Sequence, residues 1–104
     1  MSNPVRDAPL EPAQPLSNEE VDRELRSLTG WKREDGGLRK RFRRSGFLDA
    51  IAFVNAVAAL SEEEQHHPNI DIRWRTVILF LTTHEAGGVS RRDLDLARRI
   101  DAIE

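Results

Sequence analysis

Apolar residues along this chain change period several times, and each change marks an element. Ser17 and Glu20 are spaced as a capping box, and Val21, Leu25 and Leu28 follow at helical spacing. That pattern predicts a first helix over 18–28, ended by Thr29 and Gly30. "WKREDGGLRKRFRR" then gives two short runs around Asp35-Gly36-Gly37, whose glycines supply the positive φ of a tight hairpin. In "FLDAIAFVNAVAALSEEEQ", Phe47, Ile51, Val54 and Ala58 share one stripe, while Ala50, Phe53, Val57 and Leu60 widen it. A stripe so wide, unbroken by glycine or proline, predicts a second helix packed on a sheet. Pro68 disfavours helical backbone at His67, so this helix should stop before the histidine pair.

Between 69 and 83 the apolar parity shifts: Ile70, Ile72 and Trp74 are even, while Val77, Leu79 and Leu81 are odd. A two-residue reversal at Arg75-Thr76 would place all six on one face of an antiparallel hairpin. Ile78 and Phe80 would then be left wet on the opposite face, where they could join a subunit interface. Past Gly87-Gly88, Ser90 with Asp93 makes a second capping box, and Leu94, Ala97, Ile100 and Ile103 make a final helical stripe. The order α-β-β-α-β-β-α predicts an α+β fold, a four-stranded antiparallel sheet with three helices packed on one face.

Composition narrows the functions such a domain can have. The chain has 104 residues, room for one domain, and its 16 basic and 18 acidic side chains leave a formal charge of −2. No net field attracts nucleic acid or an anionic membrane, and no stretch is apolar enough to span one. The absence of cysteine rules out disulfides and thiolate chemistry and suits a cytoplasmic setting. Residues 1–16 carry four of the five prolines and read as a disordered tail ahead of a single domain over 17–104.

All three histidines, His66, His67 and His84, gather near one helix-to-strand corner and one strand end. Zinc could use three imidazoles, but consecutive residues seldom ligate one ion together and the usual ligand spacings are absent. Acid–base chemistry suits imidazole better, because its pKa near ~6.5 lets it take or give a proton at neutral pH. Glu62, Glu63, Glu64 and Asp93 are carboxylates that could orient such a ring. Solvated histidines at a helix end are the plain alternative for any one of the three. Asp93 fits helix capping, Trp74 fits a core position better than a stacking platform, and "RKRFRR" fits a solvated face.

From about Leu16 to the C-terminus the chain resembles the pterin-4a-carbinolamine dehydratases. The resemblance rests on Glu62, His66-His67-Pro68, Trp74, His84 and Asp93 at their observed spacing, with "LTTHEAGGVSRRDLDLARRID" around the last two. Trp74 stands where tyrosine is frequent, Glu85 where aspartate is common, and Val89-Ser90 where leucine-threonine is usual. The resemblance implies a metal-free, cofactor-free hydro-lyase that converts 4a-hydroxytetrahydrobiopterin to quinonoid dihydrobiopterin, serving aromatic amino acid hydroxylases. It implies a homodimer or homotetramer with His66, His67 and His84 as catalytic residues and Glu62, Trp74 and Asp93 binding or orienting. Within that set, His66 and His84 would exchange protons and His67 would orient the pterin. Members of the family also act as protein-binding modules that stabilise transcription-regulator dimers, and similar folds without the histidines serve as assembly factors.

Overall fold

The computed structural model describes residues 14–104, so the tail expected over 1–16 lies outside the described residues as far as residue 13. Helix α1 spans Asn18–Leu25, strand β1 Lys32–Glu34 and strand β2 Gly37–Arg43. Helix α2 spans Phe47–Glu64, strand β3 Asn69–Arg73, strand β4 Thr76–Leu81 and helix α3 Arg91–Ile103. A single 3₁₀ turn, His84–Ala86, precedes α3. All strand pairs are antiparallel, in the order β1-β2-β4-β3, so β3 is an edge.

The three helices cover one face of this sheet. Leu38 and Phe42 of β2 and Val77, Leu79 and Leu81 of β4 meet Val21 of α1, Phe53 and Val57 of α2, and Leu94, Ala97 and Ile100 of α3 in one core. Trp31 packs edge-on to Phe42, and Phe42 against Phe53, which joins the sheet to α2 through aromatic contacts. Leu16 also packs against this core, its backbone N–H donating to Val89 O at 2.9 Å.

Several expected details change. Helix α1 stops at Leu25, where Ser27 N–H and Leu28 N–H donate to Glu24 O and Leu25 O in tightened turns that carry Leu28 into the core. In α2 the buried stripe is Ala50, Phe53, Val57 and Leu60, while Phe47 and Ala58 face outward and Ile51 and Val54 are half-buried. The first hairpin takes its positive φ at Asp35 and Gly36 rather than at both glycines. Gly37 has another role: a Cβ there would lie 2.4 Å from Leu81 O and 2.5 Å from the Phe80 ring.

The second hairpin turns at Trp74-Arg75, one residue earlier than the parity suggested, and pairs Arg73 with Thr76. The register moves by two, so Ile70 and Ile72 still share a face with Leu79 and Val77. Trp74 leaves the strand, however, and stands at φ 54° in the turn, 68% exposed. Ile78 and Phe80 are not left wet. Ile78 is buried between its cross-strand neighbours Arg41 and Asp71, and the Arg39 guanidinium lies 4.5 Å over the Phe80 ring.

Candidate functional site

Two chain reversals build the site. Helix α2 ends where Gln65 enters the left-handed region at φ 51°, and His66 N–H donates back to Ser61 O at 3.1 Å. The chain leaves the helix axis there, and Pro68 keeps it extended into β3. At the far end of β4, Thr83 pairs with Gly88 across the 3₁₀ turn, and Gly87 adopts φ 72° to close that loop onto α3. Because β3 and β4 are antiparallel, the start of β3 and the end of β4 lie at the same end of the sheet, bringing His66 and His67 to the same edge as His84.

Asp93 anchors this end. It is fully buried in the first turn of α3, where Oδ2 accepts from Ser90 N–H at 2.9 Å and from the Thr83 hydroxyl at 2.8 Å. The Ser90 and Thr83 hydroxyls lie 2.6 Å apart, so Ser90 can donate to Thr83 while Thr83 donates to Asp93. The other carboxylate oxygen, Oδ1, is 2.5 Å from Nε2 of His66, whose side chain is 11% exposed. A buried carboxylate needs such donors, since an unpartnered charge in the interior is costly. With Nε2–H directed at Asp93, the neutral imidazole has its lone pair on Nδ1, the atom left to take a proton. Asp93 therefore serves both as a helix cap and as the group that orients His66.

His67 is held more loosely. Its Nε2 lies 2.6 Å from Glu62 Oε2, with both side chains largely exposed. His84 opens the 3₁₀ turn, is exposed, and has no side-chain hydrogen bond or ion pair among the described residues. It directly follows Thr83, so the hydroxyl bound to Asp93 also fixes the backbone carrying His84. Thr83 was not among the expected site residues. It is the second of two threonines that follow the apolar β4 run, and the sequence does not distinguish it from Thr82, which is half-buried where Thr83 is buried.

Trp74 is not brought to this group. The turn that carries it lies at the opposite end of β3, about 16 Å away at ~3.3 Å per strand residue. Its ring is stacked by its neighbour Arg75, with the guanidinium carbon 4.8 Å from the ring centroid. No three His, Asp or Glu side chains among the described residues converge as a metal-ligand group.

Comparison with known proteins gives one answer. Residues 14–103 match the family model described as pterin 4 alpha carbinolamine dehydratase. A Roseiflexus sp. (strain RS-1) protein, provisionally named pterin-4-alpha-carbinolamine dehydratase, is 53% identical over 88 residues, 85% of this chain and 95% of that protein. A Mycolicibacterium vanbaalenii protein with the same provisional name is 50% identical over the same shares of the two chains. The crystal structure of a transcriptional coactivator/pterin dehydratase from Brucella melitensis superposes with a TM-score of 0.81 at 31% identity, covering 85% of this chain and 96% of that one. A pterin dehydratase-like protein identified as a RuBisCO assembly factor in the alpha-carboxysome gives a TM-score of 0.62 at 32% identity, covering 71% and 88% of the two chains.

Proposed function

Because this chain belongs to the pterin-4a-carbinolamine dehydratase family, we propose that it eliminates water from 4a-hydroxytetrahydrobiopterin to give quinonoid dihydrobiopterin. The observation that carries the reading is the buried Asp93 holding His66, with His67 and His84 at the same end of the sheet. The elimination moves two protons without net redox change. One leaves N5, whose electrons form the C4a–N5 double bond. The other reaches the 4a-hydroxyl, which departs as water. His66, oriented through Nε2 by Asp93, would take the N5 proton at Nδ1. His84, exposed and without a side-chain partner among the described residues, would donate to the departing hydroxyl, and His67 with Glu62 would orient the pterin.

The reading extends to a cytoplasmic homo-oligomer that works beside aromatic amino acid hydroxylases. The absence of cysteine suits that setting. No described helix is long and apolar enough to cross a membrane. A second reading, a protein-binding module, draws on the coactivator and assembly-factor names of the two structural neighbours. Retention of all three histidines favours the enzyme.

Stopped-flow absorbance of freshly generated 4a-hydroxytetrahydropterin tests the choice. Acceleration by the wild type, insensitive to chelator and collapsing in His67→Ala, is the expected result. A folded wild type that gives no acceleration would leave the binding module as the better reading.

A further inference from the structure

The formal charge of −2 hides a segregation that the fold creates. Leu38 and Phe42 of β2 enter the core, so alternation turns Arg39, Arg41 and Arg43 onto the helix-free face of the sheet, successive ones about 7 Å apart. Lys32 joins them, because the register sets it directly opposite Arg39. On the β4 side the three arginines face Phe80, Ile78 and Thr76, none of them a carboxylate. Cations elsewhere are mostly answered: Arg33 by Asp22, Arg73 by Asp71, Arg99 by Glu63 and Glu64, and Lys40, on the helix side, by Asp101 and Glu104. Arg39 is paired with Glu34 and Asp35. Lys32, Arg41 and Arg43 are exposed and have no ion pair or side-chain hydrogen bond among the described residues.

Charge and shape together set this patch apart from a solvated stripe. Like charges directly opposite in a sheet repel, so the Lys32–Arg39 pair works against the fold. Local choices of that kind are retained where they serve a site. Lys32, Arg39 and Arg41 also line a cleft of about 250 Å³ with Gly30 and Glu34. Continuing the β1–β2 register brings Gly30 beside Arg41. Gly30 stands at φ 90°, and a Cβ there would meet Lys40 Cε at 2.9 Å, so this position carries no side chain. The cleft thus stays open between Lys32 and Arg41.

We infer that this cleft binds the phosphate group of a small molecule, held between Lys32 and Arg41. A guanidinium donates two parallel N–H bonds to a phosphate, and an ammonium adds a compact charge. Glu34 balances Arg39, so the charge left in the cleft is that of Lys32 and Arg41. A phosphate monoester near neutral pH, at about −1.5 to −2, matches it. Bound there, the anion replaces repulsion among neighbouring cations with attraction. Arg41 stands level with Ile78, three residues or about 10 Å short of the end of β4 that leads to His84. It also lies on the face away from α3 and Asp93. The cleft is therefore separate from the histidine group, and the inference stands or falls independently of the dehydratase reading.

Backbone-amide NMR tests this, with chloride exchanged for inorganic phosphate, and in a second titration for glycerol 3-phosphate, at constant ionic strength and near-neutral pH. Saturable shifts are expected at Gly30, Lys32 and Arg41 with both probes, the ester binding at least as tightly as the free ion. Lys32→Gln and Arg41→Gln, both at exposed positions that the core does not need, should each weaken binding about tenfold, as for a lost charge-assisted hydrogen bond. Arg23→Gln on α1, equally exposed, should leave it unchanged. In chloride, Lys32→Gln should raise Tm by removing the repulsion, and phosphate should raise the Tm of wild type more than that of the variant. Absence of saturable shifts, or shifts equally strong in both cleft variants, overturns the site. An ester that fails to bind where the free ion does overturns the small-molecule assignment. A Lys32→Gln chain less stable than wild type would show that Lys32 serves the fold, and would overturn the inference as well.

Discussion

At the scale of single residues, two imidazoles one position apart are in opposite circumstances. His66 is nearly buried against a fully buried carboxylate, and His67 is solvated beside an exposed one. An exposed ion pair is worth about 0–1 kcal/mol, so His67→Ala should leave urea stability within about 0.5 kcal/mol of wild type while lowering turnover. Thr83→Val should do more to the fold. It keeps the shape but removes the hydroxyl that donates to Asp93, at a cost of about 1–3 kcal/mol by urea titration. Its kcat should also fall, because Asp93 is the group that orients His66. The sequence made the histidines and Asp93 visible as candidates, but the pairing of His66 with Asp93 spans 27 positions and depends on the antiparallel return of β4. Thr83 was hidden for the same reason: its burial follows from packing under α3.

At the scale of elements, periodicity identified the three α-helices and the β3–β4 pair and the turn glycines identified the β1–β2 hairpin, while exact turns and boundaries depended on local chemistry that periodicity does not carry. The register of the β3–β4 hairpin could slip by two residues without changing which side chains face the core, so the apolar pattern alone could not place the turn. Gly37 shows the reverse case, a residue read as a turn glycine that is required by close packing. Gly37→Ala should destabilise by about 1–3 kcal/mol, measured as a lower urea midpoint, because the added methyl meets the Leu81 carbonyl and the Phe80 ring.

Helix α2 offers a test of charge. Its N-cap, Gly46, has no side-chain cap, and Asp49 serves that end by accepting from Ser45 N–H at 2.9 Å, from the Ser45 hydroxyl and from Arg44. The Ser45 backbone bond, then the Arg44 and Ser45 side-chain bonds, hold the Asp49 carboxyl below its ordinary value. A carboxyl lowered by folding adds stability above its unfolded pKa and loses it as pH falls through the folded one. Asp49→Asn should therefore lower Tm near neutral pH, with the gap to wild type closing in acid below the ordinary aspartate range.

At the scale of the whole molecule, α3 is the element on which the site depends, and it is tied down on both flanks. Glu24 of α1 accepts from Arg91 and Arg98, Glu63 and Glu64 of α2 accept from Arg99, and Asp101 accepts from Trp31 Nε1–H at 2.9 Å and Lys40 at 3.0 Å. Each exposed pair is weak, but together they fix the helix whose first turn carries Asp93. The fold thus holds one imidazole rigidly and leaves a second exposed at the same end of the sheet. The most direct test of that division is the dehydration rate of His84→Ala against wild type, with circular dichroism to confirm the fold. Since His84 is exposed and without a side-chain partner among the described residues, the variant should fold normally and lose roughly 10²–10⁴ in kcat, the range for a positioned acid or base. Full turnover in the folded variant would contradict the account.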